Sequence, residues 1–483
     1  MSDRHSYDAV VVGSGPNGLS AAIVLAQTGL SVLVLEQQPT IGGGARSAEL
    51  TLPGFMHDVG SAVHPMGVAM PFFRSLPLEK HGLRWIDLPT AMAHPFDNGP
   101  SAVLRNSIEE TGATLGVDAR AYDALVRPIT QHWEEIRADA LAPVHPPRHP
   151  ITTGRFGLSA LRSAESLAKS RFDGELARGL FAGLCTHTIM PLTRTATASI
   201  GLVLAAVAHR TGWPIPAGGS QSISNALASY FRSLGGEIVT DSPVSSLRDI
   251  PDAKTIMLDV TPRQAVAIAG DRFSGSYRSA LAKYRYGPGV CKVDWALGEP
   301  VPWRDPACAA AGTLHLGGTL GELVASEGAP WNGEHAEKPF VLVAQPSVFD
   351  PTRAPPGKHT LWGYCHVPNG SDVDVSDRIE RQIERFAPGF RDCILARRVT
   401  KASELSLGNA NLVGGDIGAG ANTLRQLLFR PALRANPYAT SVKGLYLCSA
   451  STPPGGGVHG MCGVFAATSA LAALHGGRGT KDA

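Results

Sequence analysis

The sequence predicts an α/β fold in which a nucleotide-binding domain, discontinuous along the chain, is combined with a second, α+β domain. A strand, a glycine-rich turn and a helix open the chain between Tyr7 and Gly29, and a second such unit spans Gly444 to Leu474 near its other end. The length of 483 residues exceeds what one hydrophobic core commonly supports. We therefore expect two lobes, one of them assembled from distant stretches of chain.

The first turn has the spacing of a dinucleotide-binding fingerprint. Gly13 permits the tight turn, Gly15 lets the backbone approach a pyrophosphate, and Gly18 lets the helix pack closely on the sheet. Pro16 and Asn17 open that helix, whose unpaired N–H groups favour phosphate. The flanking strand and helix make this a Rossmann-like site rather than an ordinary glycine turn.

An acidic residue follows at the distance that such sites require. Glu36 comes directly after the apolar run Ser31 to Leu35, with Gln37 beside it. A carboxylate here accepts hydrogen bonds from a ribose and repels a 2′-phosphate. The sequence therefore predicts an unphosphorylated adenosine ribose.

A second glycine-rich turn indicates which dinucleotide is bound. Gly43, Gly44 and Ala45 are followed by Arg46, so backbone amides and one guanidinium can reach the same pyrophosphate. This additional loop favours FAD over NAD as the cofactor.

The C-terminal turn supplies the opposite end of the predicted site. Gly455, Gly457 and Gly460 also satisfy GxGxxG, but no second strand with a terminal acid follows before the sequence ends. We therefore interpret this helix N-terminus as facing the isoalloxazine ring, where it stabilises negative charge on reduced flavin. The predicted cofactor contacts of this turn are Ser451, Gly457, Val458, His459 and Met461.

These motifs resemble those of a known family. The sequence is similar to phytoene-desaturase-type flavoproteins of the amine-oxidase superfamily, and most closely to the branch with ketolase-like enzymes and pyridine nucleotide-disulfide oxidoreductase domain proteins. The resemblance implies non-covalent FAD, a two-domain fold, and a redox or isomerisation reaction on an apolar substrate. The stretches that carry it are Tyr7 to Arg46, Leu52 to Gly60, Gln345 to Pro351, Gly363 to Pro368 and Tyr446 to Gly463.

The resemblance also implies further site residues. It places the backbone around Val244 at the adenine end of FAD, although a core valine is an equal alternative, and it places Gly60 and Ser61 at the cofactor. Two histidines, His64 and His459, are the candidate general bases, because histidine exchanges protons near neutral pH. The alternative for each is a structural, hydrogen-bonding histidine.

The domain assignment follows the same patterns. We assign residues 1–75, 215–265 and 405–483 to the FAD-binding domain, and residues 76–214 and 266–404 to the substrate domain. Apolar spacing predicts helices over Ala119 to Ala142 and Leu158 to Phe172. Alternation between residues 289 and 345 predicts a sheet packed on one face, which would form the floor of the substrate cavity.

Composition excludes several other classes of function. The 43 basic and 41 acidic residues form no basic stripe, so nucleic acid is not expected as a partner. The seven cysteines are scattered without a Cys-x-x-Cys pair, which argues against a metal site or a redox disulfide. No secretory signal is recognisable, which predicts a cytoplasmic protein. The apolar helix Ala196 to His209 is shorter than the roughly 20 residues that span a bilayer, so it is a buried helix or, alternatively, a peripheral membrane contact.

The sequence thus predicts an FAD-dependent oxidoreductase that desaturates or otherwise oxidises a hydrophobic small molecule, with a polyene or isoprenoid as the leading substrate class. Flavin accepts a hydride, so the protein need only position the substrate carbon and exclude water. Two alternatives stay open: a redox-neutral isomerase or saturase that uses the same flavin, and a flavin-stabilised binding protein without turnover.

Overall fold

A computed structural model describes residues 6–476. Its two large sheets are a five-stranded parallel sheet in the order β16-β10-β1-β2-β9 and a seven-stranded mixed sheet in the order β15-β11-β14-β13-β12-β6-β7. The strands are β1 (Tyr7–Val12), β2 (Val32–Leu35), β3 (Ser47–Glu49), β4 (Met56–Asp58), β5 (Trp85–Ile86), β6 (Thr90–His94), β7 (Ala102–Arg105), β8 (Ile215–Pro216), β9 (Glu237–Val239), β10 (Ala253–Leu258), β11 (Gly289–Leu297), β12 (Thr313–Leu316), β13 (Val341–Ala344), β14 (His359–Val367), β15 (Ile394–Thr400) and β16 (Leu445–Leu447).

Helices cover both sheets and form a separate layer beside the larger one. They are α1 (Pro16–Ala26), α2 (Pro65–Ala69), α3 (Pro71–Ser75), α4 (Ile108–Ala113), α5 (Ala119–Gln131), α6 (Trp133–Ala140), α7 (Pro150–Ala160), α8 (Ala164–Arg171), α9 (Glu175–Cys185), α10 (Ala198–Thr211), α11 (Gln221–Ser233), α12 (Pro262–Ala269), α13 (Gly275–Ala282), α14 (Pro306–Ala309), α15 (Leu320–Gly328), α16 (Ser376–Phe386), α17 (Ala402–Gly408), α18 (Leu424–Phe429) and α19 (Met461–Gly476).

The parallel sheet confirms the predicted α/β class. Its strands come from three separate stretches of chain, and the apolar side chains of β1, β2 and β16 are buried because helices cover both faces. On one face α1, α11 and α19 share a core with β1 and β2. On the other face lie α12 and α13, through residues such as Ala265 and Tyr277. The sequence assignment had placed residues 266–284 in the second domain, whereas these helices pack on the nucleotide-binding sheet.

The sequence predicts that the mixed sheet packs on one face only, but in the structure both of its faces are packed. Every residue of β11, β12 and β13 is buried. One face packs against α16, through Ile379, Ile383 and Phe386. The opposite face packs against α9 and α10 and also borders a large cavity. Buried and exposed side chains therefore do not alternate along these strands, because protein covers both faces.

The helical layer is more segmented than predicted. The helix expected over Leu158 to Phe172 is two helices, since α7 ends at Ala160 and Ser163 caps α8 by accepting a hydrogen bond from Ser166 N at 3.1 Å. The helix expected over residues 119–142 divides at His132 into α5 and α6. Across residues 6–476, no helix combines the length and apolarity needed to cross a membrane.

Two glycines allow close backbone contacts of α1, one with the first glycine turn and one with α19. A Cβ on Gly18 would lie 2.1 Å from Gly13 O, which confirms why the third glycine of the fingerprint is needed. A Cβ on Gly463, in α19, would lie 1.9 Å from Asn17 O in α1. Because both obstacles are backbone atoms, a side chain at either position requires a shift of a whole element.

We expect Gly463→Ala to destabilise the protein by about 1–3 kcal/mol, because the added methyl group overpacks the contact between α1 and α19. Urea unfolding followed by circular dichroism measures the change. Gly328→Ala in α15 is the matched control: within residues 6–476, no atom apart from its chain neighbours and the nearby backbone of its own helix lies within 4 Å of its Cβ position, so it should be neutral or stabilising by up to about 1 kcal/mol. Equal stability of the two variants would contradict the role of Gly463.

Candidate cofactor and active site

One cavity of about 1510 Å³ joins the nucleotide-binding sheet to the mixed sheet. Its volume exceeds the roughly 300–1,000 Å³ of typical small-molecule pockets, so it can hold a dinucleotide together with a second molecule. At one end lie Gly13 to Asn17 and Glu36. The other end is lined by apolar side chains of α7 and α10 in the helical layer, including Phe156, Ile200 and Val203.

The two glycine-rich turns predicted to hold a pyrophosphate meet at the first end. Gly13 has a φ of +102°, a conformation that favours glycine, and a Cβ on Gly43 would lie 3.1 Å from Gly15 Cα. Arg46 is held at the same place, because Nε donates to Gly43 O at 2.9 Å and Nη2 donates to Gly408 O at 2.9 Å. The turns thus form one backbone cradle beside a fixed cation.

Glu36 is fixed at the end of β2 by backbone amides. Its Oε2 accepts from Ser14 N at 2.9 Å, and its Oε1 accepts from Gln38 N at 2.8 Å. It lines the cavity beside the glycine turns. This position, one strand away from the phosphate cradle, is the one a ribose-binding carboxylate needs.

The predicted site residues divide into two groups. Those that line the cavity are Gly13, Gly15, Pro16, Asn17, Glu36, Gln37, Gly43, Gly44, Arg46, Gly60, Ser61, His64, Val244, Gly457 and Val458. Five others lie behind its wall and do not line it: Gly18, Ala45, Ser451, His459 and Met461. Their roles in the structure are packing and hydrogen bonding, as for Ser451, whose Oγ donates to Ala419 O at 2.8 Å.

His64 reaches the cavity in a defined protonation state. Ser220 Oγ donates to Ser61 O at 2.5 Å, so it accepts from His64 Nε2 at 2.7 Å. Nε2 therefore carries the hydrogen, and the buried Nδ1 is an unprotonated acceptor without a hydrogen-bond partner among residues 6–476. Burial lowers the pKa of His64 to about 4, so the ring is neutral at physiological pH.

His459 has a different position. It is buried behind the C-terminal turn, and its Nδ1 accepts from Met461 N at 3.1 Å. A Cβ on Gly457 would lie 2.9 Å from His459 Cδ2, which places the ring directly beneath that turn. His459 is thus arranged to support the turn, while Gly457 and Val458 present it to the cavity.

Asp259 is a cavity residue that the sequence analysis missed. It follows β10, and its Oδ2 accepts from Gly18 N at 2.9 Å. Burial raises its pKa to about 7, and the negative charge of Glu36 adds to the shift. The sequence does show an acidic residue directly after a predicted strand. It does not show that this strand pairs with β1, which is what brings Asp259 to the cavity.

A group of buried charges from β4, β11 and the loop before β14 also lies near the cavity. Lys292 lines the cavity, pairs with Asp294, and lies 5.8 Å from the centre of the Trp362 ring. Nearby, Asp58 Oδ2 accepts from Arg353 Nη2 at 2.6 Å. Burial opposes ionisation of Asp58, but Arg353 outweighs it and holds the pKa of that carboxyl below its usual value. Asp58 therefore braces the structure rather than facing the cavity.

Two histidines, His187 and His315, lie close together at the cavity wall. His187 lines the cavity, and its Nε2 is 3.3 Å from Nε2 of His315. Burial lowers the pKa of His187 to about 4 and that of His315 well below its usual value. Within residues 6–476, no group of three or more His, Cys, Asp or Glu side chains is arranged to hold a metal ion.

Exposed apolar side chains surround the opening of the cavity. We call them the apolar collar: Val144, Leu158, Leu161, Leu424 and Leu428, which are 38–78% exposed and also line the cavity. They come from α7, α18 and the segments beside α7. Such a patch on a soluble surface marks a site of contact with an apolar molecule, a membrane or a protein.

The residues present fit a flavin dinucleotide. Among the residues that the structure describes, the buried Asn17 Oδ1 has no hydrogen-bond partner at the start of α1, beside the glycine cradle. A Cβ on Gly60 would lie 2.3 Å from Gly44 O, so the segment carrying Gly60 and Ser61 can reach the cavity only with glycine there. The cavity continues from this cradle to the turn at Gly457, and thus joins both predicted ends of the cofactor.

Comparison with known families agrees with the N-terminal fingerprint. Residues 11–76 match the family described as NAD(P)-binding Rossmann-like domain. A mouse protein named pyridine nucleotide-disulfide oxidoreductase domain-containing protein 2 is 27% identical, over 96% of this chain and 93% of its own. A phytoene desaturase (neurosporene-forming) from Rhodobacter capsulatus is 26% identical, over 94% of this chain and 92% of its own. The resemblance drawn from the motifs is confirmed.

Solved structures share the fold. An oxidoreductase from Methanosarcina mazei superposes with a TM-score of 0.66 at 18% identity, covering 98% of this chain and 100% of the other. A putrescine oxidase variant superposes with a TM-score of 0.64 at 18% identity, covering 97% and 99%. The predicted oxidoreductase class is confirmed at the level of these relatives and neighbours.

Proposed function

Since this chain is a relative of the phytoene desaturases over nearly its whole length, we propose that it is an FAD-dependent oxidoreductase that dehydrogenates a hydrophobic small molecule. A polyene or isoprenoid is the leading substrate class. The observation that carries the proposal is the continuous cavity, with a dinucleotide cradle at one end and apolar walls at the other.

The chain offers a contact for each part of FAD. Gly15 and Gly43 present backbone to the diphosphate, Arg46 adds a positive charge, and Glu36 accepts hydrogen bonds from the adenosine ribose. The turn at Gly457 and Val458 faces the isoalloxazine end. When bound, FAD supplies the acceptor of a hydride from a substrate carbon.

The substrate end works mainly by positioning and by excluding water. Its walls are apolar side chains from the helical layer and from the mixed sheet, as the sequence-based expectation of a sheet floor requires. His64 lines the cavity with a neutral ring whose Nε2 is fixed by Ser220, and it is the proposed acceptor of the proton that dehydrogenation releases. His459 is proposed as a positioning residue beneath the turn.

We expect Gly15→Val to abolish FAD retention. The added side chain would project toward Asp259 Oδ2, which lies 2.8 Å from the Cβ position, and would keep the diphosphate from the backbone. Flavin absorbance per purified chain measures retention. Gly275→Val, at the open start of α13, is the control and should keep FAD. Full flavin occupancy in a folded Gly15→Val protein contradicts the assigned cradle.

The reaction is tested by mixing the FAD-loaded protein with polyenes and isoprenoids without oxygen. Dehydrogenation should bleach the oxidised flavin band and yield a product lighter by two hydrogens, in amounts equal to the flavin reduced. A product of unchanged mass without bleaching would instead identify an isomerase. No reaction across a panel of polyenes, amines and alcohols would favour a binding protein and overturn the proposal.

We also propose that the apolar collar contacts a lipid surface, from which an apolar substrate enters the cavity. The collar is continuous with the cavity opening, and Arg148, Arg155 and Arg425 are exposed in the same segments. Apolar side chains beside cations are typical of surfaces that contact anionic lipid.

The double substitution Leu158→Glu, Leu428→Glu should lower binding to vesicles of phosphatidylcholine and phosphatidylserine at least about tenfold, because two apolar contacts are lost. Co-flotation with the vesicles measures binding. Val117→Glu, exposed outside the cavity opening, is the control and should bind like the original protein. The lipid contact is ruled out if all three proteins bind the vesicles equally, or if the original protein does not bind them at all.

A further inference from the structure

Asp259 lies where a dinucleotide site needs positive potential. Its Oδ2 accepts from Gly18 N at 2.9 Å and lies 2.8 Å from the position of a Cβ on Gly15. The carboxyl group therefore sits over the start of α1, beside the cradle formed by the glycine turns. Helix starts of this kind bind phosphate through free N–H groups and the helix dipole.

Oδ1, the other carboxyl oxygen of Asp259, has no hydrogen-bond partner in the described part of the chain. Asp259 is 8% exposed and lines the cavity, and its Oδ1 accepts no hydrogen bond from the residues that the structure describes. A polar atom of a largely buried residue usually has a hydrogen-bond partner, so an unpaired oxygen on a cavity wall points to a ligand atom as that partner. Oδ1 is thus the carboxyl oxygen of this cavity residue that is available to a ligand.

An ionised Asp259 would oppose the binding of a diphosphate. The second carboxylate, Glu36, lines the same end of the cavity, so the diphosphate would meet two negative charges beside one helix start. A protonated carboxyl removes one of these charges and gains a donor, since a neutral acid offers one O–H group. Carboxylic acids kept neutral in this way serve as hydrogen-bond donors in other proteins.

We propose that Asp259 binds the FAD diphosphate as a neutral acid, with Oδ2 accepting from Gly18 N and the protonated Oδ1 donating to a phosphate oxygen. The proton comes from solvent and stays on Asp259 while FAD is bound. This inference rests on the proposed FAD site and adds to it that binding is coupled to the uptake of one proton.

The surroundings of Asp259 support this state. Burial raises its pKa to about 7, the hydrogen bond from Gly18 N lowers it, and the charge of Glu36 raises it. The other titratable groups that face it are the thiols of Cys448 and Cys462, whose pKa values are raised, which leaves them neutral. His64 and His459 have pKa values of about 4, so neither titrates near neutral pH.

The test is calorimetric titration of the full chain, freed of flavin, with FAD between about pH 6 and pH 9. Buffers with different ionisation enthalpies report the protons taken up. The diphosphate of FAD is a diester and does not titrate in this range. Above pH values of about 7 we expect up to one proton per FAD, with affinity falling at most about tenfold per pH unit. At lower pH uptake vanishes and affinity becomes constant, since Asp259 is already protonated.

Asp259→Asn is the decisive variant, because its amide oxygen can accept from Gly18 N and its NH₂ can replace the proposed donor. It should bind FAD without proton uptake and with pH-independent affinity. Asp252→Asn, exposed before β10, should behave like the original protein. The inference is overturned if Asp259→Asn takes up as many protons as the original protein, or if the original protein takes up none. It is also overturned if Asp259→Asn folds but no longer binds FAD.

A measurement on the unsubstituted protein covers the case in which Asp259→Asn does not fold. The infrared difference spectrum between FAD-bound and flavin-free protein above neutral pH should contain the C=O band of one protonated carboxyl, shifted in D₂O. Its absence overturns the inference while FAD binding stands. Failure of the original protein to bind FAD at any pH is a separate result, which overturns the cofactor proposal itself and this inference with it.

Discussion

The site depends on close backbone contact between the two ends of the chain. Gly463 in α19 lies against Asn17 in α1, and a Cβ on Gly460 would lie 2.1 Å from Ser20 Oγ. Parallel pairing of β16 with β10 fixes the C-terminal segment in the same sheet as the fingerprint strand β1. With these contacts, the turn at Gly457 and the cradle at Gly15 border one cavity. Any side chain that separates the two helices separates the two halves of the site.

Buried charges connect this nucleotide-binding part to the mixed sheet. Asp58, at the end of β4, accepts from Arg353 and also from Ser220 N at 2.7 Å, which joins the start of α11 to the loop before β14. Isolated ions in such an interior are costly, so removal of one partner is more damaging than the net contribution of the pair suggests. The ion pair therefore specifies how the segments meet more than it adds stability.

Desolvation sets the protonation of the site. It lowers the pKa of His64 and His187 to about 4 and raises that of Asp259 to about 7. All three groups are thereby pushed toward their neutral forms. Neutral groups beside an apolar end of the cavity suit hydride transfer from an apolar substrate, because few charged side chains there retain water. Lys292 at the mixed sheet pairs with Asp294, whereas Arg46 and Glu36 lie at the opposite end, in the cradle.

The sequence by itself determined the cofactor cradle and the class of fold. Gly13, Gly15, Gly18 and Glu36 are specified by local geometry, since a tight turn, a close approach and a strand end each demand a residue type at a fixed spacing. For the same reason the C-terminal turn and its helix could be predicted from their glycines and apolar run.

Only the tertiary structure decided which other side chains reach the cavity. Asp259 and His187 could not be assigned to the cavity from the sequence, because their positions depend on the pairing of β10 with β1 and on the packing of α9 against the mixed sheet. Likewise the placement of His459 behind the turn, and the burial of β11 on both faces, follow from what packs against them. Spacing along the chain fixes local conformation, whereas burial and proximity are set by contacts between segments hundreds of residues apart.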